Sequence, residues 1–166
     1  MQDPVLILGA SGVIGAAIAR RLCSDGPVIL HGYEGTKRLK SLAGEIDGAE
    51  TVSADLRDPG QVANMSRKLS EDHSALRGVV FAVASPFPHK LTHKTDWSVF
   101  ETQIDTQLKA LHLSLSATLP LLEAHEGTSR ALVLSTEYML GTPPVKIAPY
   151  VAAKASLTAY TRVLAQ

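Results

Sequence analysis

A single cysteine stands among the 166 residues, Cys23, so no disulfide can close within the chain and the usage fits a reducing compartment. An excess of either charge is missing as well. Sixteen basic residues balance sixteen acidic ones without a block of five like charges, which leaves no electrostatic footprint for nucleic acid or an anionic membrane. Long hydrophobic runs are absent. The longest, Val79 to Ala84, is far short of the roughly 20 residues that span a bilayer, and Met1-Gln2-Asp3-Pro4 lacks the basic start of a secretory signal. A cytoplasmic protein with small-molecule partners is expected, and Cys23 is read as an ordinary core residue. There are no internal repeats, low-complexity stretches or long linkers, and 45% apolar residues allow one domain over 1–166 with a substantial core.

What is present is alternation. Short apolar runs at Val5 to Leu8, Val28 to Leu30, Thr51 to Ser53, Gly78 to Ala84 and Ala131 to Leu134 are strand candidates. Between them, segments with helical spacing fall at about 13–24, 36–45, 59–71, 96–124 and 150–165. That order predicts βαβ units and a doubly wound parallel α/β sheet. Asp58-Pro59 is a good helix start, since aspartate caps free amides and proline suits the first turn. Pro120 is expected to kink the long fourth helix or end its first part. Ser85-Pro86-Phe87-Pro88-His89 follows the fourth strand, where ligand-facing loops belong.

Gly9-Ala10-Ser11-Gly12-Val13-Ile14-Gly15 links the first strand to the first helix. Gly9 permits a tight turn, Gly12 lets a pyrophosphate approach the backbone, and Gly15 lets the helix pack on the sheet, with the helix N-terminus favouring phosphate charge. Ser11, Val13 and Ile14 complete the candidate dinucleotide site. The second strand ends in His31-Gly32-Tyr33 and offers no acid for a ribose 2′-hydroxyl. Tyr33 joins the candidate cofactor site, and Lys37 and Arg38 are candidates for a 2′-phosphate, favouring NADP(H) over NAD(H), while Glu34 is the alternative partner for ribose hydroxyls and solvation the other use of helix-start cations.

Near the other end stands Tyr150-Val151-Ala152-Ala153-Lys154. A phenol, with a reference pKa of about 10, moves protons poorly at neutral pH unless a cation stabilises its phenolate. Four residues apart on a helix, Tyr150 and Lys154 share a face. Tyr33 and Lys37 have the same spacing, but Tyr33 lies beside the glycine turn and the intervening Gly35 breaks the helix pattern, whereas Tyr150 opens an alanine-rich helix after the fifth strand. Position decides for Tyr150.

With these two motifs the chain resembles the short-chain dehydrogenases/reductases from Val5 through Gln166. The resemblance implies a Rossmann-like fold and assigns further residues. Asp55 and Leu56 of Ala54-Asp55-Leu56-Arg57-Asp58 look like the family's adenine-contacting segment, with helix capping as the other use of Asp55. Ala82, Val83 and Ala84 occupy the place of the family's Asn-Asn-Ala-Gly stretch, without its asparagines, and are expected to line the cofactor through backbone. Thr136 or Ser135, in Leu132-Val133-Leu134-Ser135-Thr136, resembles the hydroxyl that holds the substrate carbonyl, although both can serve as strand-end hydrogen-bonders. Gln107 falls where the family often has a proton-relay asparagine, with a helix-surface role as the alternative.

The glycine spacing is more like the extended or divergent branches. Family members also continue beyond the tyrosine helix, so the C-terminal strands are expected to be missing, either because the protein is short or because the sequence is a portion of a longer one. The resemblance implies an NADP(H)-dependent oxidoreductase interconverting a carbonyl and an alcohol. Alternatives are an epimerase or dehydratase using the same tyrosine, and a non-catalytic dinucleotide-binding or scaffolding protein. His89 and His93 lack a third ligand at useful spacing, so no metal is expected. Trp97 and Phe100 are expected to anchor the fourth helix in the core. Leu108, Leu111, Leu115 and Leu119 recur at helical spacing and fit either an intrachain core or the face through which a homodimer or homotetramer would pair.

Overall fold

A computed structural model describes residues 2–33 and 36–165. Five strands, β1 (Val5–Leu8), β2 (Val28–Gly32), β3 (Glu50–Ser53), β4 (Gly78–Phe81) and β5 (Arg130–Val133), form one parallel sheet in the order β3-β2-β1-β4-β5. All four residues of β1 are buried, as a central parallel strand covered on both faces requires. Leu6 and Leu8 point into one layer with Val62, Met65, Leu69, Leu111 and Leu157. Val5 and Ile7 point into the other with Ala19, Leu39 and Leu42. The helices supplying these residues are α1 (Val13–Leu22), α2 (Thr36–Glu45), α3 (Pro59–Asp72), α5 (Ala110–Glu123) and α6 (Ala148–Leu164), while α4 (Trp97–Ile104) packs against α6. The expected doubly wound α/β class is what the structure shows.

Differences from the expected boundaries have physical causes. The fourth strand stops at Phe81 rather than Ala84, because the chain leaves the ladder to form the rim of a cleft. Asp58 caps α3 by accepting from the Gly60 and Gln61 amides, with Pro59 in the first turn, as expected. Pro120 does not end its helix: α5 runs through it to Glu123, and the carbonyl its missing N–H would have bonded belongs to exposed Ser116. The interruption falls instead at Asp105–Lys109, a π-helical turn between α4 and α5. Such turns insert an extra residue into the ladder and concentrate at functional sites.

Trp97 is not a core anchor. It is 64% exposed and stacks on Phe100 with centroids 5.4 Å apart, three residues along the same helix face. Leu111 is fully buried, Leu108 and Leu115 are half-buried and Leu119 is exposed, so only part of the leucine series serves the intrachain core. Cys23 is half-buried in a short turn after α1 and packs against the second core layer. No described helix is long and apolar enough to cross a membrane.

Candidate active site

The connections that leave the paired carboxyl ends of β1 and β4 run to opposite sides of the sheet, toward β2 and β5, and a cleft of about 360 Å³ opens there. This is the crevice in which open α/β sheets bind ligands. Its floor is the glycine turn. Gly9 has φ of +85°, and a Cβ on it would lie 2.9 Å from the Ala82 carbonyl oxygen. A Cβ on Gly15 would lie 2.3 Å from the Gly9 carbonyl oxygen, so α1 starts in van der Waals contact with the turn. Gly12 borders the cleft and precedes α1 without any side-chain cap, leaving first-turn amides open to an anion.

Ser11, Tyr33, Arg38, Asp55, Leu56, Ala82, Val83 and Ala84 also border the cleft. Lys37 is exposed and off its lining, as are Val13 and Ile14. Glu34, the alternative ribose partner, lies outside the described residues. The Arg57 side chain grips the Asp55 carboxylate through Nε to Oδ1 at 2.9 Å and Nη2 to Oδ2 at 2.8 Å. That grip is the main reason the Asp55 carboxyl sits below its usual pKa range.

The second constellation lies on α6. Tyr150 and Lys154 are one turn apart, with the Lys154 Nζ 6.0 Å from the Tyr150 ring centroid. Lys154 is only 3% exposed, and its ammonium donates to the Leu134 carbonyl at 2.6 Å. Burial of this cation lowers its pKa to about 8. Thr158 donates its one hydroxyl proton to the Lys154 carbonyl at 2.7 Å, so the Ser135 hydroxyl, 2.6 Å from Thr158 Oγ1, is the donor in that pair. Thr136 Oγ1 accepts from the Tyr138 amide at 3.5 Å, which leaves its own proton uncommitted among the described residues.

Tyr150, Lys154, Ser135 and Thr136 stand beside the cleft rather than on its lining. The bridge is the segment after β4: Ser85 and Pro86 line the cleft, and the next ring, Phe87, stacks on Tyr150 with centroids 4.9 Å apart. His89 stacks on Phe87 in turn. Gln107 is fully buried rather than on the helix surface, and its Nε2 donates to Gln103 Oε1 at 2.9 Å. Gln103 Nε2 donates to Ser85 Oγ at 2.7 Å, so an amide ladder ties the π-helical turn to the cleft rim.

Comparison with known proteins agrees with this geometry. The family model described as enoyl-(acyl carrier protein) reductase matches residues 9–166. The chain belongs to the short-chain dehydrogenase/reductase family. It is 29% identical to an uncharacterized oxidoreductase of Staphylococcus epidermidis, over 98% of this chain and 70% of that protein. It is 30% identical to sulfoacetaldehyde reductase 2 of Chromohalobacter salexigens, over 78% of this chain and 53% of the relative. A short-chain dehydrogenase from Burkholderia cenocepacia, solved in complex with NADP, superposes with a TM-score of 0.87 at 26% identity, over 98% of this chain and 67% of that one. The chain thus spans between half and seven tenths of these short-chain dehydrogenase/reductase relatives.

Several residues of this family member border the cleft without a signal in the sequence. Thr106 and Ala110 reach it from the π-helical turn and the start of α5, and His31 and Arg57 from the ends of β2 and β3. Thr106 is buried, and its hydroxyl has no hydrogen-bond partner among the described residues, an orphaned polar group at the wall of the cleft. The π-helical turn that aims Thr106 has no period visible in the sequence. Together, the glycine cradle and this unpaired hydroxyl fit a dinucleotide.

Proposed function

We propose that the protein binds NADP(H) and interconverts a carbonyl and an alcohol at Tyr150. The observation that carries this reading is the buried Lys154 ammonium, fixed by Leu134 beside the Tyr150 ring and without an acidic partner among the described residues. A buried cation placed there stabilises the phenolate left when Tyr150 gives up its proton. When bound, NADPH supplies the hydride that reduces the carbonyl carbon. Tyr150 delivers the proton to the carbonyl oxygen, and Thr136, whose hydroxyl proton is uncommitted, donates a hydrogen bond to that oxygen. Ser135 is held against Thr158. Lys154 has the further task of holding the nicotinamide ribose, as family membership implies.

Gly9, Gly12 and the first turn of α1 would hold the pyrophosphate, and Tyr33, Arg38 and Ser11 surround the place for a 2′-phosphate beside Gly32. The NADP in the B. cenocepacia relative supports this preference. Calorimetric titration with NADPH and NADH tests it. NADPH is expected to bind more tightly, and Arg38→Ala to weaken NADPH by about tenfold while leaving NADH nearly unchanged. Equal loss for both nucleotides would remove Arg38 from 2′-phosphate recognition, and no binding of either would remove the enzymatic reading.

A pH profile follows from Lys154. Its positive charge is present below about pH 8 and is lost as pH rises through that value. The kcat/KM for carbonyl reduction, which reports the free enzyme, is expected to fall above an apparent pKa of about 8. A rate that stays flat to about pH 10 would show that the charge on Lys154 does not matter.

A further inference from the structure

The end of β2 holds a buried imidazole that serves three segments at once. His31 is 3% exposed, and its Nε2 lies 2.9 Å from the Ala54 carbonyl oxygen. A carbonyl only accepts, so the proton is on Nε2 and the lone pair on Nδ1. Into that lone pair the Gly9 amide donates at 3.3 Å. The Ala10 amide donates to the His31 carbonyl at 2.8 Å, so two successive amides of the glycine turn end on one residue. One neutral ring therefore ties the turn after β1 to the segment after β3, across β2. Gly9, His31 and Ala54 all border the cleft.

We propose that His31 is a positioning residue for the dinucleotide, holding the glycine turn only as the neutral Nε2–H tautomer, so that its protonation releases Gly9 and weakens cofactor binding. This rests on the cofactor reading above. An imidazolium has donors at both nitrogens, and the Gly9 amide would then face another N–H with no lone pair between them. Burial holds the His31 pKa below its ordinary 6.5, against the opposing pulls of the Ala54 carbonyl and the Asp55 charge. Among the described residues the charged groups around the ring are few. Asp55 and its partner Arg57 approach from the segment after β3, and Arg38 borders the same cleft from α2. The glycine turn brings no titratable side chain, and the neighbour of His31 on β3 is Val52.

The sign follows from the lowered pKa. Well above pH 6.5 both folded and unfolded chains carry neutral His31. As pH falls, the unfolded chain and any loosened turn take the proton first, so acid favours release of the turn.

NADP⁺ titrations from pH 8 to pH 5 on the wild type, His31→Asn and His31→Leu test this, together with NMR of the His31 ring and Gly9 amide in the cofactor-free protein. Asparagine places Oδ1 near the position of Nδ1 and cannot titrate, so His31→Asn is expected to rescue binding at pH 8 and to show a weaker acid limb than the wild type. His31→Leu is expected to bind about tenfold more weakly throughout. Comparison among the three proteins cancels protonation of the nucleotide itself. In NMR the ring is expected as the Nε2–H tautomer, titrating below 6.5, with the Gly9 amide shifting at the same midpoint. Should His31→Leu not fold, the asparagine variant and the NMR titration decide alone. Identical affinities and acid limbs in all three would overturn the proposal. So would affinity that rises toward acid, as simple attraction between imidazolium and phosphate would give. If the wild type bound no NADP⁺ at pH 8, the cofactor reading and the positioning role would both fall, and the Gly9 titration would still show whether the ring and the turn are coupled.

Discussion

Tyr150→Phe is expected to lower kcat by roughly 10²- to 10⁴-fold, the range that a positioned acid or base contributes, while leaving the Kd for NADPH within a factor of about two. The structure makes this a narrow change. Phenylalanine keeps the ring that stacks 4.9 Å from Phe87, so the rim of the cleft has no packing reason to move, and only the hydroxyl is removed. Steady-state turnover of any carbonyl substrate found by screening, with calorimetry on the same samples, separates the two quantities. Turnover within about tenfold of wild type would take proton transfer away from Tyr150. Loss of nucleotide binding in parallel would mean that the ring supports the cleft rather than the chemistry.

The second large effect is expected from a single methyl group. In Gly15→Ala the new Cβ would start 2.3 Å from the Gly9 carbonyl oxygen, 2.9 Å from the Gly9 carbonyl carbon and 3.0 Å from the Ala10 Cα. All three are backbone atoms, so no rotamer change relieves the overlap. Overpacking of this kind costs typically 1–3 kcal/mol and occasionally more, which for a chain of this size lowers Tm by roughly 2 to 12 °C. Because the obstruction lies between α1 and the turn, NADPH affinity is expected to fall at least about a hundredfold. Gly12→Ala is the informative contrast. Its Cβ would meet only the Gly9 carbonyl oxygen, at 3.3 Å, while projecting from a residue that borders the cleft. Its Tm should change little and its affinity should drop. Equal thermal stability of Gly15→Ala and wild type would show that the turn can yield, contrary to the contacts described.

The parts of the site legible in the sequence are those whose chemistry is local. Gly9, Gly12 and Gly15 declare a strand, turn and helix because a positive φ and a close approach have to be met by glycine where they occur, and Tyr150 with Lys154 needs only one turn of helix. Arg38 and Lys37 illustrate the limit. Both follow the second strand, but whether a helix-start cation meets the cleft depends on the rotation of α2, and only Arg38 does. Thr106 and Gln107 were harder still, since the π-helical turn at Asp105–Lys109 shifts every later side chain around the helix axis without leaving a compositional mark. Trp97 differs from expectation for a related reason. A large aromatic at a helix start gives no indication of whether the sheet lies beneath it, and exposed Trp97 has half-buried Phe100 as its partner instead. His31 was legible only as the missing acid, because its two hydrogen bonds join segments far apart in the chain.

The sheet order has a consequence for how the molecule is made. Val5 of the central strand pairs on one side with Val28, close downstream, and on the other with Gly78, which the ribosome delivers much later. Until β4 arrives, a newly synthesised chain carries β1 with one bare edge, and Gly9 lacks the Ala82 backbone against which its turn is set. Parallel pairings between distant segments are slow to close. The cleft beside Gly9 therefore cannot take shape until β4 and the segment after it have been made. A ligand there can stabilise the finished sheet by mass action but cannot guide its early assembly.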